Sequence, residues 1–584
     1  MYKKMLLCLA LAVLSLSLAL CACAAGETTL TILGTSDLHG NIWGFNYEDN
    51  AETANNGIAR LYTYIQQVRA ENPNTILLDN GDAIQGTIMT DDLFNKYPEK
   101  AHPVMTVMNH MGYDAMTLGN HEFNWGIPAM NAILGQAEFP VLAANVRSAD
   151  GAFVTGSGWT ILEEAGIRVA VIGVVTPDVP IWDSDKEGVD EYTFEAANEA
   201  VQNAIEQIGE DADVIVVCAH MGMYPEYDEE YGSDSAQKIL DDNPEIDVLL
   251  AGHMHSLVNE KQGDVPIGAP REGGRDIVRF DLTLNAEKDI IDATVQVIGA
   301  ADFEPSEEIR ALEAVAEAHE EAVSLVSGSD DDGGAGEVLG STTAKFQPEN
   351  EIAGIPAGRI MDTAVVDLIN RIQLENAQAD VSSAALFENT SDLPEGDITY
   401  RDILSVYKHS NTLYRVPVTG AELKAYMEWS ARCYNQWKPG DINISFDPEY
   451  PAYLLDMFAG VEYEVDLSRP HGQRIKNVMF KGEPLQDDQV LTLAVNNYRY
   501  SSVLKPEGII SGRKEWESSS SIRDMLVEYF AEHSPVAPEV DNNWKIVGVD
   551  LQLDDPRRAE IIEKINSGEI DTPYAKSINL NDHE

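Results

Sequence analysis

From Thr28 to about Ala300, short β-branched runs alternate with helical stretches, an order that dictates a layered α/β fold. The runs include Thr28 to Gly34, Thr75 to Asp79, Val169 to Val175, Val214 to Ala219 and Asp247 to Ala251. Between the first two, Ile58, Leu61, Ile65 and Val68 repeat at helical spacing, as in a helix lying on a sheet. At 584 residues the chain exceeds one hydrophobic core, so a second domain is expected.

That second region reads from Val338 to Val549, with a helix signal at Ile360 to Arg371 and strand-like runs at Thr412 to Val418, Val461 to Asp466 and Val490 to Ala494. Residues 304–337 separate the two regions. In them Ser306 to Val326, rich in Ala and Glu, predicts one exposed helix, and Ser327 to Gly336, with Asp330 to Gly334, predicts a linker. Its aspartates lack the spacing of a calcium loop. Residues 550–584 read as a polar tail with a short helical stretch around Ala559 to Ile565.

The first 25 residues carry Lys3 and Lys4, an apolar run from Met5 to Leu20 and then small residues, the order of a secretory signal. An Ala-x-Ala pattern at Ala22 to Ala24 and an imperfect lipoprotein box at Leu20 to Cys23 are both present, so free release and lipid attachment stay open. No later stretch is apolar for long enough to span a bilayer, and an exported, extracellular or periplasmic protein is expected. Cys218 and Cys433 are the cysteines beyond the leader, and such a pair in a large exported chain is no disulfide framework. A formal net charge of −59 argues against nucleic-acid polymers as partners, and an anionic substrate would need cations at the site. Oligomeric state is not legible.

Five segments put metal-ligand residue types directly after, or within a turn of, a strand-like run. They are Asp37-Leu38-His39, Gly81-Asp82, Gly119-Asn120-His121-Glu122, His220 after its apolar run, and Gly252-His253-Met254-His255. Each alone has an ordinary reading: a turn, a cap or a core histidine. Strand ends of an open α/β sheet converge on one crevice, however, so the segments can meet. Asp37, His39, Asp82 and His255 would then hold one ion, and Asp82, Asn120, His220 and His253 a second, with the Asp82 carboxylate bridging. Such a donor set suits two divalent metal ions, whether Mn, Zn, Co or Fe.

In these motifs the chain resembles the calcineurin-like metallophosphoesterases, whose signature runs D-x-H, G-D, G-N-H-[ED], H and G-H-x-H in that order. Within them it looks like the bacterial 5'-nucleotidase group, and in detail like its 2',3'-cyclic-nucleotide 2'-phosphodiesterase/3'-nucleotidase branch. Asn124, the Tyr407 to Tyr414 segment, Asp456-Met457-Phe458 and Asn496-Asn497-Tyr498-Arg499 point to that branch. The resemblance implies a four-layer sandwich domain over 27–303 and a smaller α+β substrate-binding domain over 338–549. It implies a secreted enzyme that opens 2',3'-cyclic nucleotides to 3'-nucleotides and then releases phosphate. Two neighbouring cations would activate a water and neutralise phosphoryl oxygens. His121 would stabilise the transition state or protonate the leaving oxygen, and Asn124 replaces the Asp that orients this histidine in 5'-type relatives. Tyr498 is the expected stacking face for the base. Tyr453, two positions from the Leu455 that replaces a second aromatic, either substitutes for it or has a core or surface role, and Arg499 either meets ribose or phosphate or forms a structural ion pair. Catalysis would require closure of an interdomain cleft. The alternatives are a 5'-nucleotidase or UDP-sugar diphosphatase, and a non-catalytic nucleotide-binding module.

Overall fold

The computed structural model describes residues 26–47, 50–184, 186–227, 232–327, 338–388 and 390–582. The expected leader over 1–25 and the Asp330 to Gly334 stretch lie outside them. The chain divides into two compact units between Ala322 and Val323.

The first unit holds two six-stranded sheets. One runs, edge to edge, Ile290–Gly299, Asp276–Leu284, Thr28–Thr35, Thr75–Asp79, Ala115–Thr117 and Val141–Leu142. The other runs Val258–Gln262, Val265–Ala269, Val248–Ala251, Val214–His220, Ile167–Val175 and Trp159–Glu164. The central strands of each are parallel. Because strand side chains alternate, Leu30, Ile32, Ile76 and Leu78 face Val169, Val171, Val216 and Leu250 of the second sheet in one dry core. Ala170, Ile172, Val217 and Leu249 fall on the opposite face, against Ala200, Val201 and Ala204 of the Ala197–Ile208 helix and Ala236 and Ile239 of Ala236–Asp242. The predicted helix appears as Ile58–Glu71, with Ile58, Leu61, Ile65 and Val68 buried. Sheets central and helices outside are the four-layer sandwich.

The Ser306 to Val326 stretch differs from expectation. It forms two helices, Glu307–Arg310 and Glu313–Ser327, and it is not exposed all round. Val315, Ala318, Ala322 and Leu325 make a buried stripe at helical spacing, which an Ala-rich composition disguises. His319 stacks on Trp43 with ring centroids 3.9 Å apart.

The second unit is α+β. A five-stranded sheet runs Asp456–Ala459, Val381–Ala385, Val490–Asn496, Thr412–Thr419, Trp516–Ser521, and a four-stranded one is built on Val461–Asp466. Ala364–Ala377, Gly420–Ala431 and Ile522–His533 are its principal helices. Residues beyond Asp550 belong to this unit's core. Ile562 and Ile565 of the Pro556–Asn566 helix join it, Tyr574 stacks on Phe446, and buried Arg558 pairs with Glu351 at 2.7 Å. Cys218 and Cys433 are both free and buried. Among the described residues, no helix is long and apolar enough to cross a membrane.

Candidate dinuclear metal centre

All five motif segments sit at the C-terminal ends of central strands of the first unit. Asp37 and His39 follow Thr28–Thr35, Asp82 follows Thr75–Asp79, and Asn120 follows Ala115–Thr117. His220 ends Val214–His220, and His253 and His255 follow Val248–Ala251. The loops are stitched to one another. The Asp37 and His39 amides donate to the Gly81 and Asp82 carbonyls at 2.9 Å, and the His253 amide donates to the Asp37 carboxylate at 3.1 Å.

Two glycines let the Asp82 and Asn120 loops touch. A Cβ on Gly81, where φ is +91°, would lie 2.3 Å from the Gly119 nitrogen, and one on Gly119 would lie 2.1 Å from Asp82 Oδ1. Glu122 locks this junction: its buried carboxylate accepts the backbone N–H groups of Asp82 and Ala83 at 2.8 Å and of Gly119 at 2.7 Å. The sequence displayed Glu122 in its motif, but its role as an anchor for the Asp82 loop emerges only from these bonds.

Asp37, His39, Asp82, His253 and His255 all adopt left-handed backbone conformations, with φ between +46° and +68°. Each such residue costs about 1–3 kcal/mol, and clusters of them mark sites whose geometry is held by the surrounding structure.

The donor atoms fall into the two groups expected. One atom each from Asp37, His39 and His255 lies within 4.8 Å of the others, and likewise for Asp82, His220 and His253. His39 Nε2 is 3.1 Å from His255 Nε2, which is 3.4 Å from Asp37 Oδ1. Asn120 Oδ1 is 3.2 Å from His220 Nε2, placing the amide in the second group. Asp82 stands between the groups. Its Oδ1 accepts the His121 amide at 2.8 Å, whereas Oδ2 lies 3.0 Å from His220 Nε2 and 4.0 Å from His39 Nε2. Buried Oδ2 faces the His220 ring, with no Lys or Arg among the described residues beside it.

Partners behind the rings fix which nitrogen each presents. His39 Nδ1 donates to the Gln85 carbonyl at 2.9 Å and His220 Nδ1 to the Asn80 carbonyl at 2.6 Å, so both rings turn Nε2 inward. His253 is reversed: its Nε2 meets Glu226 Oε2 at 2.9 Å, so Nδ1 is the atom it offers. Glu226 carried no signal in the sequence: it follows His220 by only six residues, but its partner His253 is 27 residues further on.

Charge tells the same story. Burial opposes charge on Asp37 and Asp82, yet the adjacent histidines hold both carboxyls well below the usual range. Burial likewise opposes the His220 cation, but Asp82 and Asp37 push that ring up to about 10. Burial and the neighbouring His255 drive His39 down to about 4. No Lys or Arg among the described residues pairs with Asp37 or Asp82. Without bound ions these carboxylates lean on imidazole protons alone, and convergent carboxylate oxygens and imidazole nitrogens with no Lys or Arg beside them fit two divalent cations.

His121 borders this cluster, its ring centroid 5.3 Å from that of His39, and its Nδ1 is 2.8 Å from Asn124 Oδ1. The remaining expected residues lie in the second unit. Tyr498 and Tyr453 expose their rings. The Arg499 guanidinium is buried, pairs with Asp456 at 2.7 Å, lies over Trp429 and donates to the Tyr453 carbonyl. This is a structural ion pair, the other reading open to it, and it turns the guanidinium toward Asp456.

Residues 30–257 match the family of calcineurin-like phosphoesterases, and residues 338–503 that of the 5'-nucleotidase C-terminal domain. A Bacillus subtilis trifunctional nucleotide phosphoesterase protein is 28% identical over 90% of this chain, which spans 39% of that protein's length. A Haemophilus influenzae 2',3'-cyclic-nucleotide 2'-phosphodiesterase/3'-nucleotidase is 27% identical, with 90% of this chain and 88% of the relative covered. In fold, the chain is similar to Haemophilus influenzae NAD nucleotidase, with a TM-score of 0.62 at 17% identity, covering 89% of this chain and 99% of that one.

Proposed function

Since this chain belongs to the 5'-nucleotidase family of calcineurin-like metallophosphoesterases and is a metal-dependent hydrolase, we propose that it opens 2',3'-cyclic nucleotides to 3'-nucleotides and then hydrolyses these to nucleoside and phosphate. The observation that carries the phosphoesterase reading is the pair of adjacent donor groups, with Asp82 Oδ2 of one 4.0 Å from His39 Nε2 of the other and His121 at their rim. Support for the cyclic and 3'-phosphate preference comes from the relative bearing that name, which matches nearly end to end, and from Asn124 beside His121.

Asp37, His39, Asp82 and His255 would hold one divalent ion and Asp82, Asn120, His220 and His253 the other. When bound, the pair supplies an activated water and positive charge for the phosphoryl oxygens. The protein's own part is positional. His121, with Nδ1 donating to Asn124, directs Nε2 outward, where the imidazolium form can stabilise or protonate the leaving oxygen while Nδ1 keeps its own proton. That oxygen is the 2' oxygen of a cyclic phosphate, then the 3' oxygen. Tyr498 gives the base a face that any base can stack on, with Tyr453 as second aromatic. The leader motif of residues 1–25 supports action outside the cytoplasm.

Initial rates on 2',3'-cyclic AMP, 3'-AMP, 5'-AMP and UDP-glucose, each with manganese, cobalt or zinc, test the reading. Fast turnover of the first two is expected. Preference for 5'-AMP or UDP-glucose would move the substrate class, and no phosphate release from any would favour a binding module.

A further inference from the structure

We infer that Asp183, which belongs to none of the motif segments, is a positioning residue that acts on His121 through Asn124. Asn124 Nδ2 donates to Asp183 Oδ2 at 3.0 Å, and Asn124 Oδ1 faces His121 Nδ1 at 2.8 Å. Asp183 ends the short Val179–Asp183 helix, 59 residues beyond Asn124, and is 1% exposed. Trp182, its neighbour, lies against the His253 ring with centroids 5.7 Å apart, so this helix is seated on the rim of the metal cluster.

The argument turns on the two ends of an amide. An asparagine side chain carries an acceptor and a donor of nearly the same shape, and rotation by half a turn exchanges them. With nothing behind it, Asn124 could present Nδ2 to His121, requiring Nδ1 to accept and placing the ring proton on Nε2 in the neutral ring. A carboxylate only accepts. Asp183 therefore claims the Nδ2 end, turns Oδ1 toward His121 and obliges His121 Nδ1 to donate. The imidazole plane and tautomer are thus set by a carboxylate it does not touch. An aspartate at position 124 would need no such help, because both its oxygens accept. The pair Asn124 and Asp183 accordingly does in two residues what a single carboxylate beside the histidine does in one.

This inference rests on the phosphoesterase reading for its kinetic readout only. Asp183→Ala should lower kcat about 10- to 100-fold with little change in KM, as loss of an outer-shell partner does, while two metals remain bound per chain. Asn124→Asp combined with Asp183→Ala should recover most of that loss. Asn124→Asp alone should be slower than the double variant, because two buried carboxylates then face each other. In the protein labelled with 15N-histidine, the His121 ring, assigned by its absence in His121→Ala, should carry its proton on Nδ1, and Asp183→Ala should erase that preference. An unchanged kcat in Asp183→Ala, or a double variant no faster than Asp183→Ala, overturns the relay. So does a His121 tautomer indifferent to residue 183, a result that stands even if the wild-type chain hydrolyses none of the nucleotides.

Discussion

The metal-side loops of the first unit and the Tyr453, Tyr498 and Arg499 region of the second are built on opposite principles. In the first, five side chains sit in strained backbone conformations, and Gln85, Asn80 and Glu226 fix which nitrogen three of the rings present. In the second, two aromatic rings lie open to solvent, and the one charged member is consumed by an internal pair with Asp456. Coordination demands particular atoms at particular places, so one residue type is tolerated per position. Stacking demands only a flat face, which many side chains and many placements supply.

The largest effect expected from this contrast is at Asp82, the carboxylate proposed to bridge the two donor groups. Asp82→Ala should reduce kcat on the order of 1000-fold or more, with bound metal falling below two per chain by elemental analysis. Full metal content and near-normal turnover in this variant would mean that the two groups do not share an ion-bridging atom.

The same contrast decides what was legible in the sequence. The seven proposed ligands could be read because each motif couples a ligand type to a strand end, and parallel strands carry those ends to one edge. The sandwich was legible for the same reason: Thr75–Asp79 appears as read, and Val214–His220 within a residue. Glu226 and Asp183 were not, because their partners lie far along the chain and nothing local distinguishes a carboxylate that meets an imidazole or an amide from one that meets water. For Arg499 the sequence left an anion contact and a structural ion pair equally open, and only packing reveals Asp456 behind it. The helix over Glu313–Ser327 misled because alanine buries without a hydrophobic signature.

Within the second unit, adjacent residues should therefore fail in different ways. Tyr498→Ala should raise KM for nucleotides roughly 5- to 150-fold, the equivalent of about 1–3 kcal/mol of stacking, leaving Tm nearly unchanged. Arg499→Ala should instead destabilise the fold by about 3–5 kcal/mol, since it strands a buried carboxylate, which chemical denaturation would read. A Tyr498→Ala enzyme with unchanged KM would remove that ring from the base site.

A smaller loss is expected at Glu122. Glu122→Gln keeps the shape but replaces an acceptor oxygen with a donor that confronts backbone N–H groups of the Asp82 loop. Activity should fall about 10- to 100-fold, in the range of other outer-shell partners, and raising the metal concentration should restore part of it. Indifference to added metal would place the defect in folding.

The weakest effect lies in the second unit, where Asp362, Asp367 and Asp541 bring carboxylate oxygens within 4.8 Å of one another. Burial, then the neighbouring carboxylates, push Asp362 up to about 7, and burial leads in pushing Asp367 up to about 6. Both values exceed the ordinary 3.8 expected of the unfolded chain. The folded state thus holds protons that the unfolded state releases, so this contribution is complete below about pH 4 and is lost as pH rises through 6 to 7. Asp362→Asn keeps an acceptor for Trp544 Nε1, which now donates to Asp362 Oδ1 at 3.1 Å, while removing one titrating group. Its Tm should therefore decline less than that of the parent between pH 5 and pH 8, and should exceed it at the upper end by a few degrees at most. Parallel Tm curves would show that the three carboxylates are too well solvated to share a proton, and that the second unit, unlike the first, stores no electrostatic cost in its acidic residues.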